Sequence, residues 1–403
     1  MWLLELPLMA VAALFTGYLV LITVAALTAR HPRSPAGPAR DRFAVVVPAH
    51  NEAAVLPGLL SALAALDYPR ARYEVIVIAD NCDDATASVA LTHGARVLQR
   101  TDPVRRSKGH ALAWGLARLT TERRHDAFVI LDADTRPAPD LLTRLAAALR
   151  TGASVVQGYS AVGNPNESWR TALMAADMAL IHYLRPAGRQ ALGGSADLQG
   201  SAMCLTRAVL RKVPWETSSV AEDHEYHLRL LAQGIRVTFA PSARVSTIME
   251  PTMKTARSQE LRWEGGRFAL ARRHLGALLR AAWRQRAWLH LDAALDLTTP
   301  PFALLAAGTA GMAALHALIW LAGGPGLPAA LWAALLAGQT FYVLAGCALA
   351  RVPVRAYAAL AVYGPLYAVA KVWYCILVAA GGSREWVPTP RRVAAVPDKA
   401  EAA

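Results

Sequence analysis

Acidic and polar side chains follow three runs of apolar residues in the first half of the chain. Carboxylates gathered in one place repel one another unless a cation or hydrogen-bond donors balance them. Asp132 and Asp134 stand two positions apart, so both can face one hard cation, and Mg²⁺ binds through one or two carboxylates plus substrate phosphates. A single D-x-D is more often a solvated turn, but three matched stretches together predict a divalent-metal site. The stretches are Pro48-Ala49-His50-Asn51-Glu52, Asp80-Asn81-Cys82-Asp83-Asp84 and Leu131-Asp132-Ala133-Asp134.

Two further segments carry cationic groups suited to a diphosphate. The first is a basic stretch before Gly109, and the second is QELRW (259–263), whose first and last residues lie one helical turn apart. Arg suits phosphate oxygens, and an amphipathic Trp suits a wet apolar site. Each segment has a plainer alternative, a solvated basic loop for the first and an interfacial Trp–Arg pair for the second. The residues concerned are Arg105, Arg106, Lys108, Gln259, Arg262 and Trp263.

An acidic pair, Glu222-Asp223, opens a predicted helix. A carboxylate at a helix start is stabilised by the helix dipole, so the pair can simply be a cap. The functional alternative is a general base poised near a reacting centre. His224 and His227 stand beside the pair, but the sequence shows no metal-ligand spacing there, so they are interpreted as core or surface histidines.

Positions 43–240 alternate between strand-like and helix-like segments. This alternation is typical of an open, mostly parallel α/β sheet. Ligands bind such sheets beyond the carboxyl ends of the strands, and the three acidic stretches fall at those ends. The predicted strands are 43–48, 73–79, 126–131 and 153–162, and the predicted helices are 53–66, 83–93, 110–119 and 139–150.

Several apolar segments predict an inner-membrane protein with more than one span. Residues 6–28 are uncharged and long enough to cross a bilayer. Basic residues follow this run rather than precede it, which fits a secretory signal peptide poorly. By the positive-inside rule, the following domain is then cytoplasmic. Residues 254–290 predict basic amphipathic helices in the membrane interface, and apolar segments follow at 298–322, 328–350 and 356–380.

The charge pattern conflicts with a simple count of spans. One leading and three trailing spans would leave the basic tail outside, whereas the tail and the basic 351–355 loop both favour the inside. Because 356–380 contains Gly364-Pro365 and Lys371, we predict a broken, re-entrant or interfacial element there. The predicted parts are a transmembrane helix (1–29), a linker (30–42), a catalytic α/β domain (43–250), interfacial helices (251–297), a membrane region of two or three segments (298–380) and a basic tail (381–403).

Composition supports a membrane surface as the partner of the basic residues. The 403 residues are 55% apolar and 18% charged, against about 45–50% and 25% in soluble domains. The net charge is +13, and residues 254–286 hold nine basic and two acidic residues, so +7 of the excess lies beside the apolar spans. This placement favours anionic lipid headgroups, and no nucleic-acid-binding motif is present. The four scattered cysteines form no CxxC pair, which excludes a disulfide scaffold.

Taken together, these motifs resemble the membrane-bound family-2 glycosyltransferases. This family includes cellulose, chitin and hyaluronan synthases and ceramide and diacylglycerol glucosyltransferases. The matching pieces are VVVPAHNE, ADNCDD, LDAD, the Glu222-Asp223 pair, QELRW, which fits Q-x-x-R-W, and the tail segment 386–391, which resembles W-x-x-T-x-R. Ala221 and Gln199 depart from the pattern of many polysaccharide synthases, which weakens the case for a long polymer as product.

The resemblance implies a GT-A fold, a nucleotide-sugar donor and Mg²⁺ or Mn²⁺. It places Asp223, with Glu222, as the base that deprotonates the acceptor hydroxyl, and Asp132 and Asp134 on the metal. It makes Gln199, Gly200, Ser201 and Trp263 acceptor-binding residues, and Gln259, Arg262 and Trp263 groups that close over the diphosphate. The donor-binding residues that it implies are Pro48, His50, Asn51, Glu52, Asp80, which would bind the base, Lys108 and Asp132.

Three functions follow as hypotheses. The first is an inverting transferase that moves a sugar, as UDP-hexose, to a lipid hydroxyl at the cytoplasmic membrane face. The second is a processive polysaccharide synthase acting on a growing glycan; Q-x-x-R-W favours it, but about four spans make a thin bundle for a polymer channel. The third is a scaffold or transporter with a degenerate α/β domain, which predicts lost carboxylates, and none of the expected ones is missing.

Overall fold

A single eight-stranded sheet forms the centre of the α/β domain. The computed structural model describes residues 2–29, 37–217 and 219–379, so the predictions for 30–36 and for the tail at 381–403 lie outside it. The strands are β1 (Phe43–Ala49), β2 (Tyr73–Asp80), β3 (Arg96–Arg100), β4 (Ala127–Ile130), β5 (Thr135–Pro137), β6 (Val155–Val162), β7 (Met203–Thr206) and β8 (Thr238–Thr247). Their order across the sheet is β3-β2-β1-β4-β7-β6-β8-β5.

The half of the sheet that carries the acidic stretches is parallel. β1 lies between β2 and β4 and pairs in parallel with both, and β2 pairs in parallel with β3. β7 is antiparallel to β4 and β6, β6 is parallel to β8, and β5 is antiparallel to β8. The predicted α/β class with a mostly parallel sheet is confirmed, and the carboxyl ends of β1, β2 and β4 meet at one edge.

Helices cover both faces of the sheet. Alternate residues of β1 enter two separate cores, Phe43, Val45 and Val47 on one side and Ala44 and Val46 on the other, as expected of a parallel strand buried on both faces. The α-helices are α1 (Trp2–Thr28), α2 (Leu56–Ala64), α3 (Thr86–Thr92), α4 (Lys108–Thr121), α5 (Leu141–Arg150), α6 (Trp169–Ala179), α7 (Arg185–Ala191), α8 (Arg207–Lys212), α9 (Glu222–Ala232), α10 (Met253–Gln285), α11 (Trp288–Thr298), α12 (Phe302–Leu321), α13 (Gly326–Ala350) and α14 (Val354–Ala379).

Four helices of the described residues are long and apolar enough to cross a membrane. They are α1 (from Glu5), α12, α13 and α14 (to Val378). At mid-length, Gln339 of α13 donates to the hydroxyls of Thr16 on α1 and Thr309 on α12, at 3.0 and 2.9 Å. A buried side-chain amide needs such partners, so these two hydrogen bonds tie α1, α12 and α13 together.

A buried polar cluster joins these helices to the α/β domain. Arg189 on α7 is fully buried and binds Asp292 and Asp296 on α11, at 3.0 and 3.2 Å, and Asp197, at 2.6 Å. The hydroxyl of Tyr18 on α1 donates to Asp292 at 2.9 Å. Buried charges must be paired, so α1, α7 and α11 are held together at this point.

The structure differs in detail from two predictions about the second half of the chain. The interfacial helices expected over 251–297 are one long helix, α10, followed by α11, which packs inside the protein because its carboxylates pair with Arg189. The break expected at Gly364-Pro365 does not occur, since α14 runs unbroken through both residues. Stacking of Tyr363 on Trp169 of α6, with ring centroids 5.1 Å apart, supports α14 beside the proline.

Candidate active site

The ends of β1 and β2 are linked by direct hydrogen bonds. The Nδ1–H of His50 donates to the carbonyl oxygen of Asp80 at 2.8 Å, and the side chain of Asn51 accepts from the backbone N–H of Asp83 at 3.0 Å. Asn51 and Asn81 both adopt positive φ, at 56° and 51°. Such conformations cluster at functional sites because the fold has to hold them there. The acidic stretches after β1 and β2 therefore form one connected rim.

Asp80 has a buried cationic partner that the sequence analysis missed. Arg100, the last residue of β3, donates to the carboxylate of Asp80 at 2.5 Å and to that of Asp102 at 2.9 Å. Both Asp80 and Arg100 are buried. β3 was not predicted, and only its parallel register with β2, which pairs Asp80 with Arg100, reveals the contact.

Asp132 and Asp134 lie immediately after β4, on the same edge. The backbone N–H of Asp132 donates to the hydroxyl of Ser201 at 3.2 Å, and Ser201 also hydrogen-bonds Thr135 at 3.0 Å. Both aspartates are partly exposed. The structure thus connects the D-x-D turn to the 199–201 loop, which is distant in sequence.

Three charged groups converge on Gly200. A carbon added at its Cβ position would lie 3.4 Å from Asp223 Oδ2, 3.4 Å from Lys108 Nζ and 3.8 Å from Asp132 Oδ2. Gly200 has a φ of 76°, a conformation that favours glycine. Glycine therefore leaves open the space between an acidic pair, a lysine and the D-x-D turn.

Lys108 bridges the two acidic groups. Its ammonium lies 2.6 Å from Asp132 Oδ1 and 3.5 Å from Glu222 Oε1, and donates to the carbonyl oxygen of Gly200 at 2.8 Å. Burial lowers the pKa of Lys108, but Asp132 and Glu222 outweigh burial and raise it overall. Lys108 therefore stays charged and offsets part of the acidic charge around it.

The two carboxyl groups at the start of α9 have pKa values shifted in opposite directions. Burial raises the pKa of Glu222 to about 7, although Lys108 acts in the opposite direction. Burial also raises the pKa of Asp223, but His224 outweighs it, so the pKa of Asp223 lies below its usual value. Environments that push two neighbouring carboxyl pKa values apart are typical of acid–base sites.

His224 orients Asp223. Its backbone N–H donates to Asp223 Oδ1 at 2.8 Å, and its Nδ1 lies 3.2 Å from the same oxygen. Burial lowers the pKa of His224, but Asp223 outweighs it and raises the pKa to about 9. Oδ1 is thus held by an imidazolium, while Oδ2 faces the space beside Gly200.

The QELRW segment lies on α10, which approaches the acidic pair. A Cβ added at Gly266 would lie 2.9 Å from the Cβ of Ala221, the residue before Glu222. Arg262 and Trp263 precede Gly266 by four and three residues, so they share its side of the helix. Trp263 is 41% exposed. The structure thus brings this segment to the start of α9, one turn from the contact.

The 199–201 loop is held by a buried glutamine. Gln157 on β6 accepts from the backbone N–H of Gln199 at 3.1 Å and donates to the carbonyl oxygen of Ser201 at 2.8 Å. The side chain of Gln199 donates to Ile181 in a π-helical turn, Leu180–Leu184, at 3.4 Å. The sequence analysis did not predict this turn. It also missed Gln157, because the β6 segment was interpreted only as an apolar strand.

Asp132 and Asp134 suit a divalent cation whose coordination a bound substrate would complete. Within the described parts of the chain, no three His, Cys, Asp or Glu side chains are grouped to hold a metal by themselves. Asp132 and Asp134 supply two carboxylates, and Mg²⁺ is usually held by one or two carboxylates plus substrate phosphates. The chemistry of the donor set therefore suits Mg²⁺ or Mn²⁺ bound together with a diphosphate.

Comparison with known proteins identifies relatives of the α/β domain. The family model described as "Glycosyltransferase like family 2" matches residues 38–266. The chain is 27% identical to a probable glycosyltransferase, YdaM, of Bacillus subtilis, over 56% of this chain and 55% of the relative. It is 29% identical to a beta-monoglucosyldiacylglycerol synthase of Trichormus variabilis, over 55% of this chain and 48% of the relative. The chain thus spans about half the length of the curated relatives that it matches.

A solved structure extends the likeness in fold over almost the whole chain. The mannosyltransferase PcManGT of Pyrobaculum calidifontis, in complex with GDP-Man and Mn²⁺, superposes with a TM-score of 0.54 at 20% identity. The match covers 93% of this chain and 98% of that one. The GT-A fold, implied by the resemblance alone at the outset, is confirmed.

Proposed function

The chain belongs to the family-2-like glycosyltransferases, and from that premise we propose that it transfers a hexose from a UDP-sugar, with inversion, to a lipid hydroxyl at the cytoplasmic membrane face. The observation that carries the proposal is the convergence on Gly200 of Asp223, Lys108 and Asp132. An inverting transfer from a nucleoside diphosphate sugar needs a base, a cationic side chain and a turn able to bind a metal, all around one open space.

The reaction needs one base and compensation of negative charge. Asp223 Oδ2 would accept the proton of the acceptor hydroxyl as its oxygen attacks the anomeric carbon and the bond to the diphosphate breaks. A single carboxylate suffices, because no covalent intermediate is formed. Lys108 would stabilise the charge that develops on the leaving diphosphate, and a cation on Asp132 and Asp134 would supply further positive charge there.

A lipid acceptor is supported by the surface around α10. Trp263, Phe268 and Trp283 of this helix are 41%, 54% and 86% exposed, and Arg272 and Arg273 beside them are exposed as well. Amphipathic helices of this kind lie in membrane interfaces. The beta-monoglucosyldiacylglycerol synthase among the relatives is named for a lipid product, which supports the same acceptor class for this chain.

The proposal is tested by product analysis. Membranes containing the chain are incubated with labelled UDP- and GDP-sugars plus Mg²⁺ or Mn²⁺, and lipid-extractable label is separated from polymeric label. We expect label in the lipid fraction, from a UDP-sugar, with inverted anomeric configuration. Polymeric label would favour the processive synthase instead, and no transfer from any donor would refute the proposal.

Neutralising four exposed arginines in the second half of α10 is expected to lower transfer to a lipid acceptor without releasing the protein from the membrane. Each basic residue near an anionic surface contributes roughly 1 kcal/mol, and the apolar helices already anchor the chain. The loss should be larger in anionic than in neutral liposomes, and high salt should reproduce it in the wild type. The arginines to replace by Gln are Arg272, Arg273, Arg280 and Arg284.

The matched control replaces four exposed arginines of the α/β domain. Donor hydrolysis without acceptor should hardly change in the α10 variant. Equal losses of hydrolysis and transfer, independent of lipid charge, would show that the α10 arginines are structural and would contradict the lipid-contact role. The control set is Arg118, Arg123, Arg124 and Arg211, each changed to Gln.

His224→Asn is expected to move the acidic limb of the pH–rate profile to higher pH. A general base works only when deprotonated, so the rate rises with pH through the pKa of Asp223. Without the His224 imidazolium that pKa rises, because a cation within about 4–6 Å lowers a carboxyl pKa by about 1–3. The acidic limb of the pH profile of kcat/KM should therefore move to higher pH by about one unit. His93→Asn, at an exposed site after α3, is the control, and an unmoved limb would contradict the pairing.

A further inference from the structure

The second residue of the QELRW segment is fully buried and charged. Glu260 has no solvent exposure, and its carboxylate accepts from Arg170 on α6 at 2.9 Å and from Tyr367 on α14 at 3.3 Å. The ammonium of Lys371, also on α14, forms an ion pair with it as well. Glu260 thus connects the helix that carries QELRW to two other helices.

The ion pairs around Glu260 join equal numbers of acidic and basic side chains. Lys371 also pairs with Glu264, one turn further along α10, at 3.1 Å. Two acidic side chains, Glu260 and Glu264, therefore face two basic ones, Arg170 and Lys371. Removing one member of a buried ion pair leaves an uncompensated charge, which destabilises the local structure far more than removing both members.

The cluster lies on a different side of α10 from the residues that face the acidic pair. At 3.6 residues per turn, Gln259, Arg262, Trp263 and Gly266 fall within an arc of about 100°, and Glu260 with Glu264 is centred about 130° away. Gly266 contacts Ala221, at the start of α9. Contacts on the Glu260 side therefore fix the rotation of the helix, and hence where the other side points.

We propose that Glu260, Arg170 and Lys371 are positioning residues: their ion cluster locks the rotation of α10 so that Gln259, Arg262 and Trp263 face the reaction centre. The inference rests on the proposed glycosyl transfer, which gives those three residues their task. It also assigns a role to Lys371, a charged residue within the apolar stretch 356–379 of α14. Further contacts hold α14 against α6, which carries Arg170. Tyr363 stacks on Trp169, and the Tyr367 hydroxyl contacts the Met174 sulfur at 3.7 Å.

Lys371→Met is the first test. We expect kcat to fall about 10–100-fold with the donor KM within about threefold, since a displacement of about 1 Å can cost 10²-fold. Lys371→Arg should keep most of the activity because it keeps the charge. Lys212→Met, an exposed lysine at the end of α8, is the matched control and should behave as the wild type.

Hydrogen–deuterium exchange supplies a readout that does not depend on catalysis. Peptides covering 253–266 should exchange faster in Lys371→Met than in the wild type, while peptides of α5 (141–150) stay unchanged. If the wild type shows no transfer, the proposed function fails, but the exchange experiment still decides whether the cluster holds α10. Unchanged exchange in Lys371→Met would overturn the proposal, and so would unchanged kcat in an active enzyme.

A double variant separates charge balance from loss of volume or fold. Glu260→Gln with Lys371→Met removes one charge of each sign, so its loss of kcat should be no larger than that of either single variant. If the single variants cannot be isolated folded, this double variant and Lys371→Arg still give the test. A double variant whose loss equals the product of the two single losses would show independent roles and overturn the cluster.

Discussion

Asp223→Asn is expected to lower glycosyl transfer about 10²–10⁴-fold, the usual contribution of a positioned acid or base, while donor binding stays near the wild-type value. The reason is that Asp223 Oδ2 faces the space beside Gly200, whereas Oδ1 is held by His224. An amide keeps the shape of the side chain but cannot take the proton. Transfer rates measured with saturating donor, and donor affinity measured by calorimetry, report the two effects separately.

A helix-cap role for Asp223 predicts the opposite pattern. The variant would then lose about 0.5–2 kcal/mol of stability and keep most of its turnover. Glu222→Gln is the matched comparison at the same helix start. Because the pKa of Glu222 is raised by burial to about 7, that side chain is already partly neutral, and its replacement should cost less than the loss of Asp223. Equal turnover in wild type and Asp223→Asn would exclude the base role.

The parallel part of the site could be predicted from the sequence because it depends on local order. Strand runs that end in His50-Asn51-Glu52, Asp80 and Asp132 place their last residues on one edge whatever the order of the strands. The structure adds the pairing that makes them neighbours, with β1 between β2 and β4. Local sequence therefore sufficed for the rim, although the roles of its residues remain predictions.

The partners of those residues could not be predicted because they come from distant pairings. Arg100 meets Asp80 only through the register of β2 with β3. Gln157 holds the 199–201 loop only because β6 and β7 pair antiparallel. Such contacts depend on strand order and register, which a single sequence does not state. A buried Gln in an apolar run was the one available signal, and it points to no particular partner.

The same limit explains why the break predicted in the last apolar segment does not occur. Lys371 and Gly364-Pro365 suggested a broken segment, because a lone charge and a helix breaker are costly in lipid. In the structure the cost of Lys371 is offset by Glu260 and Glu264 on α10, so α14 stays continuous. A charge in an apolar helix therefore predicts a partner, while the identity of that partner follows only from packing.

Asp132→Asn and Asp134→Asn are each expected to abolish turnover and to weaken donor binding in Mg²⁺ or Mn²⁺. Mg²⁺ is held by few protein ligands, so the loss of one of two carboxylates removes much of the protein's share of the metal site. In Asp132→Asn a second effect adds to this, because Lys108 loses its partner at 2.6 Å and keeps Glu222 at 3.5 Å. Donor affinity with and without the metal, measured by calorimetry, checks both variants.

EDTA should reproduce these losses in the wild type and should change neither variant further. Asp140→Asn, a partly exposed aspartate paired with Arg144 before α5, is the control and should keep the wild-type response to metal. Because Lys108 alone can still attract the diphosphate, weak metal-independent donor binding should survive in both variants and be lost when Lys108 is also changed to Met. Full wild-type activity in EDTA, or in both aspartate variants, would contradict the metal role of the D-x-D turn.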